Sequence, residues 1–287
     1  SDLLLRDEKM DLKLFQQKED FPRLVQKKLT EAPIDFLAKH LSLLQSNGTG
    51  TNHLEAGVTV LLFYKKSEYV FQLIRRSSAV AQGGDISCPG GILDRKTDEM
   101  LSHILVKTDM IRRFDQSSLA TFPGQDMQSA SLIRLFLMNA LREAWEEIGL
   151  PPLNTNFLGA LPTYSLAYFS RTIFPVVCLV REPYEFCLSR EVDRILEIPL
   201  GFFFRDSSYA LVEIDSPSGS SDPRYHVKFP CLVIPGDQGE DDILWGATFH
   251  IVTHFLRIIT GGEFSPPASP SRLIHKTLPL HYSSGNR

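Results

Sequence analysis

The chain is poor in the features that mark several large protein classes. It carries 4 cysteines in 287 residues, at Cys88, Cys178, Cys187 and Cys231. No pair has C-x-x-C spacing, which removes the usual signature of a zinc site or a dithiol motif. Reduced and mostly buried thiols fit the cytoplasm or an organelle lumen that keeps thiols reduced. No apolar run approaches the roughly 18 residues that span a bilayer, so no membrane span is expected. Positive charge is not in excess. The 30 Lys and Arg face 34 Asp and Glu, for a net charge of -4. That balance gives no electrostatic reason to expect a nucleic-acid partner. Charges from Arg6 to Lys13 exclude a secretory signal, and a start at Ser1 leaves room for an organelle address trimmed from the N-terminus.

What remains is ordinary for a globular protein: 43% hydrophobic and 22% charged residues. The length fits one large domain or two small ones. Residues 1–45 read as helical, with Leu12, Leu14 and Phe15, then Phe36, Leu37, His40 and Leu41, at helix-like spacing. Residues 45–52 (QSNGTGTN) read as a linker. We therefore expect an N-terminal helical extension and linker at 1–52, a main domain at 53–264 and an irregular tail at 265–287. Within the domain, residues 56–64 and 69–74 read as strands joined by a polar turn at 65–68. A Gly/Pro-rich loop follows at 82–91. Residues 98–114 can form a helix, and 117–131 read as loop. Residues 131–148 form a strong helical pattern stopped by Gly149 and Pro151-Pro152. Further strands are expected at 157–164, 172–180, 195–199, 209–214 and 227–234, and a last helix at 244–259. Many short strands with few helices point to an α+β fold with a mixed sheet.

The chemistry concentrates on one helix. Glu143, Glu146 and Glu147 fall at i, i+3 and i+4, on one face. Like charges at that spacing repel. Arg142 reaches Glu146 but cannot neutralise three carboxylates. A divalent cation can, and oxygen-only ligands suit Mg2+ or Mn2+. A solvated acidic stripe is the common alternative. Against it, Leu141, Ala144, Trp145, Ile148 and Leu150 supply an apolar docking face. The upstream Pro89-Gly90-Gly91 lets backbone approach an ion closely.

These residues resemble the Nudix hydrolase signature, G-x5-E-x7-R-E-U-x-E-E-x-G-U with U aliphatic. Arg142, Glu143, Ala144, Glu146, Glu147, Gly149 and Leu150 match its second half and Gly91 its first glycine. Residues 92–141 stand where the signature has 13 residues, so about 37 are inserted, at roughly 98–131; closing such a loop costs only logarithmically more. Asp94, Asp98 and Glu99 are all candidates for the early acidic position. A narrower resemblance is to the coenzyme A pyrophosphatase branch. It rests on Arg76-Ser77-Ser78 with residues 84–91 (GDISCPGG), on 161–164 (LPTY) with 174–177 (FPVV), on Glu191-Val192 with 197–200 (EIPL), and on 244–248 (LWGAT). Two departures stand out. Residues 79–82 (AVAQ) lack that branch's usual arginine, and Cys88 replaces an aromatic.

The resemblance implies a Nudix-like α/β/α sandwich with a mixed sheet, and a diphosphatase dependent on Mg2+ or Mn2+. The substrate it implies is a small nucleotide diphosphate: coenzyme A or a derivative, cut to 3',5'-ADP and 4'-phosphopantetheine. ADP-ribose or a dinucleoside polyphosphate is the alternative substrate, and a non-catalytic Nudix ligand-binding module the alternative class. Glu143, Glu147 and the Gly90 carbonyl are the implied metal ligands. Glu146 is either a third ligand or the general base, and Glu191 is the other candidate base. Arg142 orients the glutamates. Arg76 and Gly91 face the phosphates, and Tyr164, Tyr168 or Phe169 could stack a nucleobase. His250 and His254, at i, i+4, lack a third ligand and read as packing residues; Asp241 and Asp242 read as a solvated turn. A homodimer is compatible with the sequence.

Overall fold

The computed structural model describes residues 12–48, 50, 52–107, 127–166, 170–215, 227–236 and 239–278. A 3-10 turn, Leu12–Gln16, precedes helices α1 (Asp20–Glu31) and α2 (Phe36–Gly48). Strands β1 (Leu54–Lys65), β2 (Glu68–Arg76), β3 (Ile86–Ser87) and β4 (Gly90–Ile92) lead to helices α3 (Arg95–Lys107) and α4 (Met127–Ile148). Then come β5 (Thr155–Ala160), β6 (Tyr164–Leu166), β7 (Arg171–Val180), β8 (Val192–Pro199), β9 (Tyr209–Asp215), β10 (Lys228–Ile234) and β11 (Asp242–Leu244). Helix α5 (Gly246–Ile259) and β12 (Leu273–Thr277) complete the order.

The main sheet is mixed. β1 and β7 run parallel at its centre, β2, β3, β4, β5, β6 and β8 are antiparallel to their neighbours, and the path is β3-β2-β1-β7-β5. Period-two alternation sends successive side chains to opposite faces. Val60 and Leu62 of β1 and Val177 of β7 meet Phe21, Val25 and Leu29 of α1 and Phe255 of α5. Leu61 and Phe63, with Phe174, Val176 and Cys178, meet Phe36 of α2 and Ile133, Phe136 and Ile148 of α4. Phe136 stacks on Phe174 at 3.8 Å between ring centres. This is the expected α/β/α sandwich. Both N-terminal helices are part of it, because their apolar stripes complete the two cores.

Several local expectations change. The β1–β2 turn holds only Lys66 and Ser67, at φ 49° and 66°. Two left-handed residues match the twist of a hairpin. The strand expected over 157–164 divides into β5 and β6, because Pro162 has no N–H to donate. At Gly159 (φ 154°) a Cβ would lie 2.6 Å from Leu29 Cβ, so α1 can cross β5 there. Helix α4 starts at Met127 rather than 131, and residues 108–114 of the other expected helix lie outside the described residues. Strands β9–β12 form a second, four-stranded sheet. The tail expected to be irregular contributes β12, whose residues pair in parallel with Leu211–Asp215 of β9. Pro-rich flanks hid its short Leu-Ile-His-Lys-Thr alternation.

Candidate active site

The C-terminal turn of α4 lies against the Gly-rich strand β4. Glu147 is only 5% exposed, and its Oε2 accepts the Gly90 N–H at 2.9 Å. Glu143 packs on Gly91 so tightly that a Cβ there would meet its carboxyl carbon at 2.4 Å. Gly90 itself has φ 152°, and a Cβ on it would strike the Gly57 carbonyl at 2.3 Å. Both glycines are therefore required by contact. β4 is fixed by pairing with Ala56–Val58 of β1 and by the Thr59 N–H donating to the Pro89 carbonyl.

Arg142 is the hub beside this cleft. Its Nε and Nη2 grip Asp98 at 2.7 and 3.2 Å, Nη2 reaches Glu143 at 2.9 Å, and Nη1 reaches Glu146 at 3.2 Å. Asp98 is fully buried, and it also accepts from Asn139 Nδ2 at 3.0 Å and the Asp94 N–H at 2.9 Å. A buried charge with this many donors is satisfied. Of the three early acidic candidates, Asp98 is the one in contact with Arg142 Nε and Nη2. Asn139 escaped the sequence reading. It accepts the Gly57 N–H at 2.6 Å and donates to the Ile92 carbonyl at 3.2 Å, joining α4 to β1 and β4. Its signal was a lone amide among Leu137, Met138, Ala140 and Leu141.

Glu147 and Glu143 hold their protons more tightly than free carboxyl groups do. Burial pushes Glu147 up to about 8, helped by the charges of Glu143 and Glu191 and opposed by the Gly90 N–H and Arg76. Burial also raises Glu143, against the lowering by Arg142. Glu147, Glu143, Glu191 and Arg76 thus share one field. The segment before β8 brings Glu191 there: Cys187 and Ser189 N–H groups donate to the Ile148 and Glu147 carbonyls, and the Ser77 N–H donates to the Glu191 carbonyl. Gly149, at φ 72°, permits this contact, since a Cβ would lie 2.8 Å from Cys187 Cβ.

Other expected residues are placed differently. Glu146 is exposed and turned to Arg142. Trp145, expected on the docking face, is 52% exposed; one residue on from Ala144 turns it by about 100° around the helix. Arg76 Nε donates to the Ala81 carbonyl at 2.9 Å, gripping the loop. Tyr164 is half-buried with its ring 4.4 Å from His250. Tyr168 and Phe169 lie outside the described residues. Cys88 is buried in the core. Asp242 is not a solvated turn: it is buried and meets Arg75 at 3.5 Å and Arg194 at 2.5 Å. Asp85, also unforeseen, accepts from Trp245 Nε1 at 3.1 Å and Lys276 Nζ at 2.6 Å, tying the loop to the second sheet.

Among the described residues, no three His, Cys, Asp or Glu side chains converge as a ready-made metal cage. The donor set is two carboxylates beside glycine backbone. That set fits Mg2+, which is commonly held by one or two carboxylates plus substrate phosphates. A buried carboxyl of raised proton affinity is also a group that a cation would relieve.

No family model matches the chain. It is 30% identical over 188 residues to the peroxisomal coenzyme A diphosphatase ndx-8 of Caenorhabditis elegans, an overlap of 63% of this chain and 64% of that protein. The chain therefore spans just under two thirds of its curated relative. Among solved structures, a C. elegans Ap4A hydrolase binary complex is 15% identical, with TM-score 0.32 over 52% of this chain and 81% of that one. The NUDIX domain of Shewanella oneidensis NrtR, complexed with ADP ribose, is 14% identical, with TM-score 0.32 over 54% and 77%.

Proposed function

We propose that this protein hydrolyses the diphosphate linkage of coenzyme A or a derivative, releasing 3',5'-ADP and 4'-phosphopantetheine. One observation carries the diphosphatase reading: a buried Glu147 and a Glu143 beside it face Gly90-Gly91, with Arg76 and Glu191 in the same field. The coenzyme A preference is supported by the overlap with a protein whose name is coenzyme A diphosphatase and by the segments around Arg76, Glu191 and Trp245.

Glu143, Glu147 and the Gly90 carbonyl would hold Mg2+ or Mn2+, which when bound neutralises phosphate oxygens and makes water nucleophilic. Arg142 holds Glu143 in its rotamer through the Asp98 anchor. The charge of Arg76 lowers the proton affinity of Glu147, and an arginine fork suits a phosphate delivered there. Glu191 is the candidate general base that lies in the cleft's field, whereas Glu146 is turned outward to Arg142.

A panel of coenzyme A, ADP-ribose and a dinucleoside tetraphosphate, assayed with Mg2+ and Mn2+ and with products identified, tests this. Coenzyme A should turn over fastest and give the two products named. Preferred cleavage of ADP-ribose or the tetraphosphate would overturn the substrate. Binding without turnover of any of the three would overturn the reaction.

A further inference from the structure

Arg171, the first residue of β7, has no place in the scheme above. Its Nε is buried and lacks a hydrogen-bond partner among the described residues, an expensive state for a charged donor. Burial, then the charge of Arg76, both lower its proton affinity. A guanidinium with an unanswered buried donor, made less basic by a second positive charge, is matched by an anion.

The register gives Arg171 its surroundings. Arg171 pairs with Leu54 of β1 and Leu166 of β6, while Ile173 pairs with Ala56 and Tyr164, and Ala56 with Ile92. Strand partners share a face, as do residues two apart. Arg171, Ile173, Tyr164 and Ile92 therefore lie on one face of the sheet. Ile92 is 45% exposed, and Tyr164 is braced against His250. An apolar floor, an aromatic ring and a guanidinium with an unanswered Nε suit a nucleoside that carries a phosphate. Gly90 is level with Pro175 through Val58. Arg171 is four residues along β7 from that point, roughly 13 Å at 3.3 Å per residue. That offset sets Arg171 apart from the glycine backbone proposed to meet the diphosphate.

We infer that Arg171 forms a second anion subsite that takes a phosphomonoester on the nucleoside part of the substrate. This deepens the reading above and rests on it for the nucleotide. The subsite favours diphosphates with a further phosphate over those without one.

Binding of 3',5'-ADP and of 5'-AMP to the full chain, measured by calorimetry in EDTA, tests the subsite without turnover. The wild-type protein should bind 3',5'-ADP at least tenfold more tightly. Arg171→Met should bring that ratio near one, and Arg171→Lys, which keeps the charge, should restore part of it. A wild-type ratio near one would overturn the inference, as would a ratio unchanged in Arg171→Met. Should the chain prefer 3',5'-ADP yet leave coenzyme A uncut, the subsite stands and the proposed hydrolysis falls.

Discussion

Replacing Glu147 with glutamine should stabilise the metal-free protein at pH 8 and leave it almost unchanged at pH 4.5. In the folded chain the carboxyl titrates near 8, raised mainly by burial, whereas an unfolded glutamate titrates near 4.3. Between those values the unfolded state has lost the proton and the folded state still holds it. Stability then falls as pH rises through that window and levels off above it. A shift of this size corresponds to about 5 kcal/mol at 1.36 kcal/mol per unit. Local relaxation and water entry reduce it, so the gain from Glu147→Gln is on the order of 2 kcal/mol, or about 4–8 °C in melting temperature for a domain of this size. The glutamine can still accept the Gly90 N–H. Thermal melts of wild type and variant in EDTA, from pH 4.5 to 8.5, measure the effect. A gap that does not widen with pH, or a variant that melts lower at pH 8, would refute the burial cost assigned to Glu147.

Other consequences follow from the same contacts. Arg142→Met removes the partner of a buried Asp98 and should cost about 3–5 kcal/mol in urea unfolding, with Asp98→Asn in the same chain recovering part of the loss. Gly91→Ala pushes a methyl into the Glu143 carboxyl; weakened Mg2+ binding with near-native circular dichroism is expected. Glu191→Gln should lower kcat by about 100-fold if this carboxylate moves the proton, and a nearly normal rate would return that role to Glu146. Divalent-cation affinity should rise steeply with pH up to about 8, because Glu147 must lose its proton to act as a ligand.

Periodicity and punctuation made the sandwich legible before any coordinates. β1, β2, β7 and α4 are long, strongly patterned elements, and their apolar alternation matches the two cores. Elements defined by partners were less visible. β12 exists because β9 offers it an edge, and β5 separates from β6 at a proline inside an apolar run. The carboxylate face of α4 could be read from spacing, but its division could not. Burial depends on what packs against each position, so Glu147 is enclosed by Gly90 while Glu146 remains in solvent with Arg142. Asp98 could not be separated from Asp94 and Glu99 because the inserted segment obscures the register. Asn139 and Arg171 left only faint local signals, since their significance lies in contacts across strands.

The central claim, that the glutamates of α4 beside Gly90-Gly91 hold divalent ions, is tested most directly by paramagnetic resonance of free Mn2+ titrated with protein. The wild-type chain should deplete the free-ion signal at pH 8, and Glu147→Gln should leave most of it in solution. Equal depletion by both proteins would contradict the account.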